Sequence, residues 1–269
     1  MRSPFEPVTG VLADLDLLQI TRFDAVVHVR LNRPDKRNAL SDKLVQQLHT
    51  TFANLPEGTG SAVISGAGDH FCAGLDLSEL MDRDIGAGVL HSRMWHAAFD
   101  QIQFGPVPVV AVLHGAVVGG GLELAATCHI RVSEVSAYFG LPEGQRGIFV
   151  GGGGSVRIPR LMGVARMTDL MLTGRVYDAH EGMAVGLTQY VVGAGEGLAK
   201  GIALAQRIAQ NAPLSNYAVT QALPRIADQS HAEGLFTESL MAAVAETTPQ
   251  AKDRLRAFLE GRAGKVVKS

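Results

Sequence analysis

Cysteine, tryptophan and charge are scarce in this 269-residue chain. It has two cysteines, one tryptophan, 19% charged residues and a formal net charge of −2. Cys72 and Cys128 alone give neither a disulfide framework nor a metal-ligand quartet, so no structural metal is expected and a reducing, cytoplasmic setting is the natural reading. The small net charge offers no broad basic field, which argues against a nucleic-acid partner. Acidic or basic residues interrupt every apolar run before the roughly 18 residues of a membrane span, so no membrane partner is expected either. The opening MRSPFEPVTG lacks the basic-then-apolar order of a secretory leader.

Familiar motifs are missing too. Gly66-Ala67-Gly68 continues to Phe71 where a dinucleotide loop needs its third glycine. Gly151 to Ser155 lacks the Gly-Lys-Ser/Thr of a phosphate loop, and neither Ser65 nor Ser155 sits in a nucleophile elbow. His180-Glu181 has no second histidine one turn later, which excludes a zinc helix.

Glycine is abundant instead: 31 residues, about 11.5% of the chain against roughly 7% in average proteins. With 46% hydrophobic residues the chain is no disordered linker, and its glycines cluster inside apolar sequence, where backbone bends sharply or approaches a ligand. Alternation over 15–31 around Arg22-Phe23-Asp24 predicts a β-hairpin, and Ser41 before Leu44, Val45 and Leu48 predicts a capped helix. Continuous apolar runs at 61–65 and 107–112 read as covered strands, with a helix over 80–103 between them. Further helices are expected at 122–128, 160–172, 179–185 and from 197 onward, which gives an α/β class with a helical end. We divide it into a core, 1–200, and a C-terminal helical region, 201–269.

Two turns carry the chemistry. Phe71-Cys72-Ala73-Gly74-Leu75-Asp76-Leu77 and Gly115 to Ala125 each place glycine after a strand, and the second launches a helix whose free N–H groups suit a developing anion. Glu123 follows in that helix and Glu143 in a later glycine-rich loop; flanking such an anion site, they would form a general acid/base pair.

Leu31 to Leu40, Phe71 to Leu77, Gly119 to Ala125, Phe139 to Glu143, Leu172 to Arg175 and Leu255 to Arg262 together resemble the enoyl-CoA hydratase/isomerase (crotonase) family, in order over about 15–263. The resemblance implies a spiral of ββα units with a C-terminal helical region that closes the acyl pocket and supports a homo-trimer or hexamer. It implies an oxyanion hole from the N–H groups of Ala73 and Gly120, catalytic roles for Glu123 and Glu143, and coenzyme A contacts along Arg37, Ala39, Ala73, Gly74, Leu75, Asp76 and Gly120. It points to hydration of a 2-enoyl-CoA without metal or redox cofactor, coenzyme A being part of the substrate. Isomerase and hydrolase chemistry, and more remotely an RNA-binding role, are the family's alternatives. After Glu143 the chain departs from the hydratase pattern: Gln145 and Arg146 are polar, and Val150 stands where proline is usual.

Overall fold

The computed structural model describes residues 6–79 and 83–262. These form two compact units that divide between Ala209 and Gln210. The helix at 197–209, which a boundary at 200 would split, belongs to the first unit. No described helix is long and apolar enough to cross a membrane.

Among the described residues the first unit has ten strands: β1 Glu6–Pro7, β2 Leu18–Phe23, β3 Val26–Leu31, β4 Ser61–Gly66, β5 Val109–Leu113, β6 Ala116–Val118, β7 Ile130–Glu134, β8 Tyr138–Gly140, β9 Val176–Asp178 and β10 Tyr190–Val192. Its helices are α1 Asp42–Ala53, α2 Ile85–Gln103, α3 Gly120–Thr127, α4 Gly154–Met162, α5 Val164–Thr173, α6 Ala179–Ala184 and α7 Gly197–Ala209. One sheet runs β1-β2-β3-β4-β5-β7-β10, and a second, smaller one runs β6-β8-β9. The expected hairpin is β2 with β3, antiparallel, while β3, β4, β5, β7 and β10 pair in parallel in the larger sheet and β8 with β9 antiparallel in the smaller one.

Period-two alternation explains the continuous apolar strands. Ala62, Ile64, Val109, Ala111 and Leu113 join the main core on one face, and Val63, Val110 and Val112 meet α7 on the other. The helix lies so close that a Cβ on Gly201 would stand 2.4 Å from Val112 Cγ2. Ser61 Oγ donates to Ala205 O at 2.8 Å across the same contact.

Ser41 caps α1 by accepting from the Leu44 N–H, as its position predicts. The helix expected from Leu80 begins at Ile85, capped by Asp84, with Gly86 and Gly88 in its first turns; Leu80 to Asp82 lie outside the described residues. Helix α4 starts six residues before the expected 160, because the glycine run 151–154 ends in a helix N-terminus instead of continuing as loop.

The second unit is helical: α8 Pro213–Tyr217, a π turn at Ala218–Ala222, α9 Leu223–Ala227, α10 His231–Glu246 and α11 Pro249–Leu259. Its apolar residues do not complete a core of their own. Leu235, Phe236, Leu240, Val244, Leu255, Phe258 and Leu259 are all exposed, and Gly234 is the one buried residue of α10.

Candidate active site

Strand β4 ends at Gly66, and the chain returns through the 71–77 turn to meet β6. Asn38 fixes this return. Fully buried, it donates from Nδ2 to Ala67 O at 2.8 Å and to His70 O at 2.7 Å, and its Oδ1 accepts from Arg33 N–H. Cys72 pairs with Val117 in an isolated bridge, and Leu75 pairs with Leu40. Gly74, at φ +106°, and Gly119, at φ +54°, adopt backbone that favours glycine, and they let the two turns touch: a Cβ on Gly119 would stand 3.8 Å from Gly74 Cα. A Cβ on Gly120 would stand 3.3 Å from Leu75 N, so the amides of Leu75 and Gly120 are neighbours. Neither finds an acceptor among the described residues, and Gly120 is the first residue of α3, where N–H groups have no intrahelical partner.

Glu123 sits one turn along α3 and is almost fully buried. The N–H groups of Gly152 and Gly154 both donate to its Oε1 at 2.8 Å, and a Cβ on Gly154 would stand 2.8 Å from that oxygen. Burial raises its pKa to about 7, with the Glu143 charge adding to the rise and the two N–H donors opposing it. Glu143 follows β8, also buried, and desolvation raises its pKa as well. Its Oε2 is buried without a hydrogen-bond partner among the described residues. Both carboxyls line one cavity of about 450 Å3, with Leu75, Trp95, Ile148, Phe149 and Val150 as its main apolar walls. Two buried acids of raised pKa sharing a cavity each hold a proton more readily than a free carboxylate and can exchange it with a bound molecule. A larger cleft, about 860 Å3, lies along β1 and the β2–β3 turn and contains none of these groups.

The sequence matches the enoyl-CoA hydratase/isomerase family model over residues 21–266. The chain belongs to that family. It is 34% identical over 252 residues to mouse enoyl-CoA hydratase domain-containing protein 2, mitochondrial, covering 90% of this chain and 84% of that one. Among solved structures, a candidate enoyl-CoA hydratase from Rhodopseudomonas palustris CGA009 superposes with a TM-score of 0.90 at 55% identity, covering 94% of this chain and 98% of that one. The enoyl-CoA hydratase of Bacillus anthracis superposes with a TM-score of 0.86 at 31% identity, covering 93% and 98%. The α/β architecture is therefore the crotonase fold.

Within this family member, the expected site residues divide. Glu123, Glu143 and Leu75 line the cavity; Gly74 and Gly120 do not, although a Cβ on Gly120 would stand 3.1 Å from Trp95 and 3.3 Å from Leu75 N, both of which belong to the lining residues. Ala73 does not take the place expected of it. Its N–H donates to Arg37 O at 3.0 Å and it is absent from the lining; Leu75, two residues on, presents the free N–H instead. Amides two residues apart on extended backbone would face the same side; Gly74 between them, at φ +106°, breaks that repeat, so the Ala73 N–H meets the 33–40 loop while the Leu75 N–H is left free.

Arg37 and Ala39 also lie off the cavity wall. Arg37 is exposed, and Ala39 O accepts from Arg33 Nη1 at 2.5 Å. Asp76 pairs with Arg33 at 3.1 Å; the Ser78 hydroxyl, and then Arg33, hold its carboxyl below the usual range. Gln145 donates to Thr173 O and Arg146 is exposed, so the polar departure after Glu143 faces away from the cavity. Cys72 and Cys128 are buried and unpaired, and burial pushes both thiols up to about 12.

Several contributors were invisible in the sequence. Arg157 donates to Gly152 O at 3.0 Å, Asp100 Oδ1 at 2.7 Å and Gln103 Oε1 at 2.6 Å, which braces the loop that holds Glu123. Trp95 packs its benzo edge against Gly120 and Gly152. No spacing signal in the sequence links these residues to Glu123.

Proposed function

We propose that this protein catalyses reversible syn addition of water to a 2-enoyl-CoA thioester, giving the 3-hydroxyacyl-CoA. The observation that carries the reading is the pairing of two buried carboxyls in one cavity, one with an unpartnered oxygen, beside two unpaired backbone N–H groups. A family member that moves a double bond or releases coenzyme A needs one such acid; water addition uses two.

A water held between Glu123 and Glu143 loses one proton as its oxygen bonds to C3, and C2 receives a proton from the pair. The C2=C3 π electrons pass through an enolate whose charge rests on the thioester oxygen. The N–H groups of Leu75 and Gly120 are the proposed oxyanion hole for it, at about 3 kcal/mol per donor. Water and thioester balance the reaction, so the proposed steps need no oxidant or reductant, and none of them is assigned to a metal. Arg37, Ala39 and Asp76 are left as candidates for the coenzyme A portion, outside the acyl cavity.

We also propose that the exposed apolar residues of α10 and α11 are covered by further copies of the chain, as a trimer or hexamer. The two buried, unpaired thiols support a reducing, cytoplasmic compartment, although the mouse relative is named mitochondrial. The net charge of −2 supports no role for nucleic acid.

Glu123→Gln and Glu143→Gln should each slow crotonyl-CoA hydration by roughly 100-fold or more while binding of the ester survives. Normal hydration by both variants would remove the assignment. Product masses from a panel of 2-enoyl- and 3-enoyl-CoAs separate gain of water from double-bond migration and from release of free coenzyme A.

A further inference from the structure

The cavity wall facing the glutamates is not apolar throughout. Beside Trp95 it carries Arg83, Asp84, His91 and Ser92, all from α2 and the residues just before it. Arg83 Nη2 pairs with Asp42 Oδ2 at 2.7 Å; His91 Nε2 stands 2.8 Å from the other oxygen of the same carboxylate, but neither of those two atoms makes a hydrogen bond among the described residues. Asp42 is held in turn: its own N–H donates to Glu79 Oε2 at 2.8 Å. The remaining arm of the guanidinium, Nη1, is buried and has no hydrogen-bond partner among the described residues. Trp95 Nε1, on the ring edge away from Gly120 and Gly152, is likewise buried and unpartnered.

A buried donor left without an acceptor is destabilising, and more so when it is charged. Such a group in the wall of a substrate cavity is explained when the substrate brings the acceptor. A plain hydrocarbon chain brings none.

The charge around Arg83 decides which acceptor fits. Its positive charge already faces Asp42, and Asp84 and Glu79 stand nearby on the same stretch, so the neighbourhood is net acidic before any ligand arrives. A carboxylate or phosphate would meet that acidity, whereas a neutral oxygen would take the free N–H without it.

Resting on the hydratase reading above, we propose that Arg83 makes the cavity selective for acyl-CoA thioesters whose acyl chain carries a neutral oxygen function, a hydroxyl or ketone, within reach of Nη1. Asp42 acts as the positioning residue that fixes the guanidinium. Arg83 determines specificity and takes no part in moving protons.

Binding of saturated thioesters tests this without requiring any turnover. Octanoyl-CoA, its 5- to 8-hydroxy and -oxo derivatives, and the eight-carbon dicarboxylic mono-thioester are titrated calorimetrically against the wild-type full chain. At least one oxygenated chain should bind roughly tenfold or more tightly than octanoyl-CoA, as for a hydrogen bond to a charged donor. The dicarboxylic ester should bind no better than octanoyl-CoA. Arg83→Met, and separately Arg83→Lys, which keeps a charge opposite Asp42, should abolish the preference; a thermal melt shows that each variant is folded.

Equal binding across the panel would overturn the proposal, and so would a preference that survives in both folded variants. Tightest binding of the dicarboxylic ester would overturn the choice of a neutral oxygen. Failure of the hydratase reading shows differently: no 2-enoyl-CoA would gain water, whatever the binding ratios.

Discussion

The N–H of Ala73 donates to the carbonyl of Arg37 at 3.0 Å. This bond ties the 71–77 turn to the loop after β3, and it removes from the cavity the amide that the sequence resemblance would place there. Replacing single backbone amides by esters separates the two positions. An ester at Leu75 should lower kcat for 2-enoyl-CoA hydration by roughly 100- to 1,000-fold, the usual cost of one oxyanion donor. An ester at Ala73 should cost about 1 kcal/mol of stability and leave kcat within a few-fold. The reverse pattern would restore Ala73 to the oxyanion hole.

Glu123 carries a stability cost with a definite pH range. Its folded pKa of about 7 lies above the ordinary 4.5, so its contribution to stability is fully present below pH 4.5 and is lost as pH rises through 7. The shift corresponds to about 3 kcal/mol. Glu123→Gln should therefore be more stable than wild type by a margin that grows between pH 4.5 and 7.5. Urea unfolding across that range reads it directly, and a pH-independent difference would contradict the burial argument.

Arg157 touches Glu123 only through Gly152, yet its positive charge also holds the Glu123 pKa down. Arg157→Met should lower kcat more than it changes KM and move the pH profile upward, because Glu123 then ionises at higher pH. Arg157→Lys should return part of the profile shift by restoring the charge. A loss of activity with an unmoved profile would reduce Arg157 to a structural brace.

The exposed apolar side chains of α10 and α11 predict association. Light scattering at micromolar concentration should give close to three or six times 28.5 kDa. Phe236→Glu with Leu259→Glu should shift that mass downward, since both residues are more than two-thirds exposed in the single chain. A clean 28.5 kDa species from wild type would refute the assembly.

Local signals in the sequence were enough for the hairpin β2–β3, the Ser41 cap and the covered strands β4 and β5, because alternation, capping and continuous apolar runs are properties of neighbouring residues. The two glutamates were also legible, each beside a glycine turn. What escaped depends on contacts between distant segments. Three-residue strands such as β6, β8 and β9 carry too few positions for a period. The 151–154 glycines read as loop, although their N–H groups hold Glu123 and the last of them opens α4. Ala73 and Leu75 differ only in which side of the turn each amide faces, and that is set by Arg37, more than thirty residues earlier. Arg83 and His91 look like the solvated face of a helix until Asp42 and the cavity are placed against them.

The two buried thiols have a practical consequence. With both buried and pushed up to about 12, neither thiol presents a reactive thiolate near pH 7.5. Maleimide reagents will therefore pass over the native cysteines for as long as the fold holds. One cysteine introduced at an exposed position of α10 becomes a unique attachment point in the otherwise unmodified protein, so a fluorophore pair mixed across copies can follow subunit exchange without first building a cysteine-free background.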